Sequence, residues 1–93
     1  MIVSTKGKFV DAVAEGNAPK GFPADIVASA ERKLRAIDLA IELSDLRSPP
    51  GNRLEALKGN RIGQHSTRIN DQWRICFTWT DAGAEDVEIP DYH

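Results

Sequence analysis

Apolar residues first recur at helical spacing. Phe9, Val10, Val13 and Ala14 cover barely two turns before Glu15-Gly16-Asn17-Ala18-Pro19 stops them, which predicts a short helix running into a loop. Gly21-Phe22-Pro23 then opens a longer element. Proline fits a first helical turn, where its missing N–H costs nothing, and Asp25 suits the positive end of the helix dipole. Ile26, Ala30, Leu34, Ile37 and Ile41 follow at spacings of four, four, three and four, a single apolar face predicting a helix to about Leu46. Ser48-Pro49-Pro50-Gly51-Asn52 cannot continue it, because two prolines remove donors and Gly51 supplies a turn.

Beyond Asn52 the period falls to two. Strands are predicted at Arg53 to Leu57, Gln64 to Ile69, Trp73 to Trp79 and Glu85 to Ile89. The turn clusters Lys58-Gly59-Asn60-Arg61, Asn70-Asp71 and Asp81-Ala82-Gly83 separate them, so the four form an antiparallel meander. The third alternates most clearly: Trp73, Ile75, Phe77 and Trp79 share one side, and Arg74, Cys76 and Thr78 the other. Met1 to Thr5, partly β-branched, adds an edge strand. The predicted class is α+β, with an N-terminal strand and two helices on one face of a mainly antiparallel sheet.

Composition adds bounds. With 93 residues, 41% hydrophobic and 28% charged, the chain is expected to fold as one domain over 1–93. It shows neither a signal-peptide core nor an 18-residue apolar run, and one cysteine, Cys76, in an apolar stretch allows no internal disulfide. A reducing cytoplasm is the expected location, with no membrane. The formal charge is −2, but it is unevenly spread. Residues 1–46 carry six Lys/Arg against seven Asp/Glu, residues 47–74 six against two, and residues 75–93 none against five. Arg47, Arg53, Lys58, Arg61, Arg68 and Arg74 thus make the middle of the chain +4, enough to hold phosphates or simply to solvate a face.

The candidate chemistry follows from that middle segment. His65 and His93 have no neighbour at metal-ligand spacing, so neither metal nor cofactor is expected, and the elbow sequence of a serine nucleophile is missing. Cleaving RNA without a metal needs a base for the 2′-hydroxyl proton, cations for the charged phosphorus, and an acid for the leaving oxygen. Arg74, projecting from an otherwise apolar strand, is the first cation, because a guanidinium presents forked donors to phosphate. Lys58 and Arg61 sit in a predicted turn, free to reach a substrate or merely to aid solubility. Asp91, Tyr92 and His93 bring an acid, a phenol and an imidazole together at the end of the chain, where a frayed tail is the ordinary alternative. His65 faces a cleft or packs against an aromatic ring.

Three stretches carry a resemblance: LRSPPGNRLEALKG at Leu46 to Gly59, RINDQWRICF at Arg68 to Phe77, and the terminal DYH. Together they resemble the HigB branch of the RelE-like toxins over nearly the whole chain. The resemblance implies a ribosome-dependent mRNA endonuclease, silenced by a HigA-type antitoxin that carries a helix-turn-helix domain. It also implies operator DNA as an indirect partner, reached through the antitoxin. It marks Lys58, Arg74, Asp91, Tyr92 and His93 as catalytic, with Arg53, Arg61, Arg68 and His65 expected to contact RNA. Glu55 stands where some relatives carry histidine, Pro90 replaces an apolar or acidic residue, and Thr67 stands where close relatives carry isoleucine. A competing expectation is a catalytically weak relative that binds the antitoxin and regulates its operon; a free ribonuclease acting on naked RNA is a third.

Overall fold

The computed structural model describes residues 1–90; Asp91, Tyr92 and His93 lie outside the described residues. Two helices, α1 (Val10–Ala14) and α2 (Val27–Leu39), precede four strands: β1 (Glu55–Ala56), β2 (His65–Arg68), β3 (Arg74–Thr80) and β4 (Gly83–Glu88). The strands form one sheet in the order β1-β2-β3-β4, each neighbour antiparallel. The N-terminal segment adds an edge beside β4 through parallel bridges, Ile2 with Ala84 and Thr5 with Val87. This is the α+β arrangement the sequence predicts, helices layered on one face of a mainly antiparallel sheet.

Periodicity explains the packing. α2 turns Val27, Ala30, Leu34 and Ile37 inward, and α1 contributes Val10 and Val13. The sheet meets them with Ile75, Phe77, Ala84, Val87 and Ile89, all within one core cluster. Each fully buried side chain of this size contributes about 1.5–3 kcal/mol relative to exposure. Phe9, Phe22 and Trp73 pack ring against ring, with centroids 4.8–5.7 Å apart, and tie the start of α1 and the loop before α2 to the entrance of β3.

Two boundaries differ most from the sequence reading. The long helix ends at Leu39 rather than near Leu46: Ala40 is extended (φ −66°, ψ 133°), and Leu43–Arg47 forms a separate 3-10 turn. The cause is Asp45, whose carboxylate accepts the Ile41 and Glu42 N–H groups at 2.9 and 3.0 Å, a local alternative to helical bonding. Ile41 consequently leaves the apolar stripe and is 87% exposed, while Leu46 is buried. The second difference is in β1, which keeps only two residues of the predicted Arg53–Leu57. Pro50–Asn52 is a 3-10 turn, and Arg53 after it adopts a left-handed conformation (φ 46°).

That connector is pinned from below. The buried Asn52 side chain donates to the carbonyls of Leu46 and Ser48, both at 3.2 Å, and accepts from Lys33 of α2. The position of Arg53, and of β1 beyond it, is therefore fixed relative to the helical layer.

Candidate functional site

Cross-strand register decides which side chains share a face. Arg68 pairs with Arg74, Ser66 with Cys76, Glu55 with Ser66, and Cys76 with Glu88, so these six occupy the sheet face turned away from the helices. His65 pairs with Phe77, and Thr67 with Ile75, on the opposite, helix-covered face.

Arg74 is the most constrained of the basic residues. Its Nε donates to Ser66 Oγ at 2.7 Å and its Nη2 to the Arg53 carbonyl oxygen at 2.7 Å, with the Ser66 carbonyl 3.5 Å from the same nitrogen. The left-handed backbone of Arg53, which costs an L-residue about 1–2 kcal/mol, belongs to the turn that delivers that carbonyl. Glu55 Oε1 lies 3.8 Å from Nη2, and its side chain is 57% exposed against 21% for Arg74. Arg68 stands directly across from Arg74 and is paired with Asp71. The two arginines thus stand at directly opposed backbone positions, and among the described residues each has one carboxylate: Arg68 turns to Asp71 in the β2–β3 turn, Arg74 toward Ser66, the Arg53 carbonyl and Glu55.

A second polar group lies across Cys76. Arg61, in the 3-10 turn Gly59–Arg61 between β1 and β2, donates from Nη1 to Gln64 at 3.0 Å and to Glu88 at 3.2 Å. Lys6 Nζ is 3.9 Å from the same Glu88 oxygen. Lys58 immediately precedes that turn, is exposed, and shares with Leu57, Asn60 and Arg61 an open pocket of about 350 Å³. β4 runs antiparallel to β3, so from Glu88, opposite Cys76, the chain heads through Ile89 and Pro90 toward the Arg74 end of the sheet.

The structure therefore brings Arg68 and Arg74 together, with the Arg53 backbone closing their surroundings; the Arg53 side chain is exposed. Arg61 and Lys58 sit at the neighbouring turn. His65 is not brought there: its ring stacks on Phe77 (centroids 6.4 Å apart, planes at 24°) on the helix side, and its buried Nδ1 has no hydrogen-bond partner among the described residues. The side-chain period of two places it opposite Ser66 and Arg68. The expectations for Asp91, Tyr92 and His93 fall outside the described residues. Sequence reasoning missed Ser66 and the Arg53 carbonyl. Ser66 was open to discovery, being two residues from Arg68 and so on the same face. The carbonyl was not, because nothing in the side-chain pattern announces a left-handed backbone.

Among the described residues no three His, Cys, Asp or Glu side chains group where a cation could be held, and no helix is long and apolar enough to cross a membrane.

Comparison with known proteins bears on the family and the fold. A family model described as the RelE-like toxin of type II toxin-antitoxin system HigB matches residues 7–93. Toxin HigB-1 of Vibrio cholerae serotype O1 is 48% identical over 63 residues, spanning 68% of this chain and 66% of that protein. Endoribonuclease HigB of Proteus vulgaris is 34% identical over 93 residues, all of both chains. The solved YoeB dimer from Staphylococcus aureus shares the fold, with a TM-score of 0.55 at 23% identity over 99% of this chain and 94% of that one. With a family model covering almost every residue and a full-length relative at 34% identity, the chain belongs to the HigB-like toxins, RelE-like toxins of type II toxin–antitoxin systems, and so has an antitoxin for its partner.

Proposed function

We propose that the chain is a ribosome-dependent mRNA endonuclease that cleaves by attack of a ribose 2′-oxygen on the adjacent phosphorus, without a metal, and thereby stops translation. The observation that carries this reading is the pair of arginines at opposed positions on the sheet face turned away from the helices. Arg68 and Arg74 are directly opposed, an arrangement that like charges disfavour and that a phosphate would relieve. A full-length relative at 34% identity is named an endoribonuclease, which supports the same chemistry.

In this mechanism the 2′-O–H loses its proton to a base, the 2′-oxygen bonds to phosphorus, and the P–O5′ bond breaks. The products are a 2′,3′-cyclic phosphate and a 5′-hydroxyl, whose oxygen takes a proton from an acid. Arg74 and Lys58 neutralise the phosphorane charge, a role worth about 10²–10³ in rate for one preorganised donor. Asp91 and His93 exchange the protons, and Tyr92 orients or stacks on a nucleotide. Arg53, Arg61 and Arg68 extend the contact along the RNA backbone. His65, on the helix side, is given no RNA contact.

So small a basic surface orients an RNA poorly by itself, and the ribosome supplies the missing positioning. The antitoxin is of the HigA type, brings the toxin to operator DNA through its own helix-turn-helix domain, and acts with it in the cytoplasm. The decisive experiment is primer-extension mapping of mRNA breaks in ribosome-programmed reactions, with wild type, Arg74→Ala and a chain lacking His93. Magnesium-chelation controls are run on isolated RNA. Cuts at ribosome-occupied codons from wild type alone are expected. No cuts from any of the three, with folding and antitoxin binding intact, would replace the enzyme by an antitoxin-binding regulator.

A further inference from the structure

A guanidinium carries five N–H donors, and which of them the protein consumes decides how it can meet a ligand. In Arg74 the Nε–H is spent on Ser66 Oγ and one Nη2–H on the Arg53 carbonyl. Nη1 makes no hydrogen bond with any described residue, and the side chain keeps 21% of its surface exposed. Nη2 also has the Ser66 carbonyl oxygen at 3.5 Å and Glu55 at 3.8 Å, so the side-on edge, Nε with Nη2, is closed and the Nη1 corner is open.

We infer that Ser66 is a positioning residue for phosphate binding by Arg74, its hydroxyl fixing the guanidinium so that the Nη1 end faces the scissile phosphate. The inference rests on the ribonuclease reading above and deepens it. Ser66 suits the task because it is fully buried, so its hydroxyl acceptor is not shared with water, and because the β2–β3 register sets it next to Arg74 on the same face. An arginine side chain otherwise loses rotamer entropy when it is ordered by a ligand. Here the ordering is done before the RNA arrives, the condition under which electrostatic stabilisation costs no reorganisation at the moment of reaction. Glu55 reaches the same guanidinium from an exposed position, at ion-pair rather than hydrogen-bond distance, and is a counter-ion that an incoming phosphate displaces.

The test joins a spectroscopic readout to a kinetic one. In ¹⁵N-labelled wild type the Nε–Hε resonance of Arg74 should be visible and slow to exchange with water; Ser66→Ala should lose that protection. Cleavage by Ser66→Ala on programmed ribosomes should show kcat lower by about tenfold or more and KM within about threefold, the pattern of an interaction expressed in the transition state. Thr67→Val, equally buried but on the helix side, should change neither. In an Arg74→Lys background, Ser66→Ala should have no further effect, because lysine has no Nε–H to place.

An unprotected Nε–H in wild type would remove the Ser66 contact itself and overturn the inference. So would a loss of protection in Ser66→Ala with unchanged cleavage, or a loss of cleavage with protection intact. If wild type cuts no RNA at all, the ribonuclease reading fails and the positioning role with it, while protection that is lost in Ser66→Ala still separates that failure from an absent contact.

Discussion

Arg68 and Arg74 face each other across β2 and β3, each answered among the described residues by a single carboxylate, Asp71 and Glu55. Like charges placed directly opposite destabilise a sheet, so the pair is a feature stability alone would not retain. Arg74→Ala should therefore reduce ribosome-dependent cleavage by about 10²–10³. Arg68→Ala should weaken cleavage less, since its guanidinium is bound to Asp71 in the adjoining turn. It should also leave the unfolding free energy within about 0.5 kcal/mol of wild type, because the lost ion pair is offset by relief of repulsion. Cleavage assays beside urea denaturation check both. A large stability loss in Arg68→Ala would mean that the pair is structural.

Thr67 supplies a prediction of opposite sign. It is 1% exposed on the helix side, opposite Ile75, and its Oγ1 finds no hydrogen-bond partner among the described residues. Burying a hydroxyl unsatisfied costs about 1–3 kcal/mol. Thr67→Val keeps the shape and removes the polar atom, so the variant should be more stable by about 1 kcal/mol, read as a higher urea midpoint at unchanged slope. Equal or lower stability would indicate that the hydroxyl has a partner in solution.

How far the sequence reached is clearest at positions where period and register compete. The alternation Trp73, Ile75, Phe77 against Arg74, Cys76 assigns the two faces of β3 without any structure, and the observed register keeps them, although Cys76 on the outer face is buried as well. Arg74 was legible for that reason. β4 was harder, because Ala84 and Val87, three apart, both face the core. The register shift between Cys76 and Thr78, with Asp86 left-handed (φ 52°) and exposed, makes that possible. A strict period of two cannot express a bulge. Ile41 misled in the other direction, since its spacing fits the α2 stripe and only the Asp45 side chain, taking the local N–H groups, shows why the helix stops earlier. Family resemblance marked the guanidinium; which of its edges is open depends on Ser66 Oγ and a backbone carbonyl that no one-dimensional pattern contains.

Asp45 gives a pH prediction. The Glu42 N–H, and after it the Ile41 N–H, hold its carboxyl below the usual carboxylate range. A carboxylate with a lowered folded value stabilises fully above its unfolded value, about 3.9, and loses that contribution as pH falls through the folded value. Asp45→Asn should thus melt below wild type near neutral pH, with the gap closing in acid as the wild-type side chain is protonated. Thermal melts across that range test it. A gap that stays constant into acid would assign the effect to something other than the charge.

Gly83 opens β4 at φ 129°, a backbone that side chains rarely adopt, and a Cβ there would lie 2.3 Å from the Met1 carbonyl oxygen. That oxygen accepts the Ala84 N–H at 2.8 Å, one of the bonds that fasten the N-terminal segment to the sheet edge. The obstacle is backbone rather than the end of a flexible side chain, so it cannot swing aside. Gly83→Ala should therefore destabilise the protein by about 2 kcal/mol or more, through strain and lost pairing together. Hydrogen exchange locates the damage. Protection should fall first at the Ala84 and Val3 amides, the two that pair near Met1, while β2 and β3 stay protected close to the global limit. If those amides remain as protected as in wild type, the N-terminal segment is anchored elsewhere, through the Ile2 N–H to Asp38 at 2.8 Å or the Val87 N–H to the Ser4 carbonyl at 3.0 Å, and the edge does not depend on Gly83.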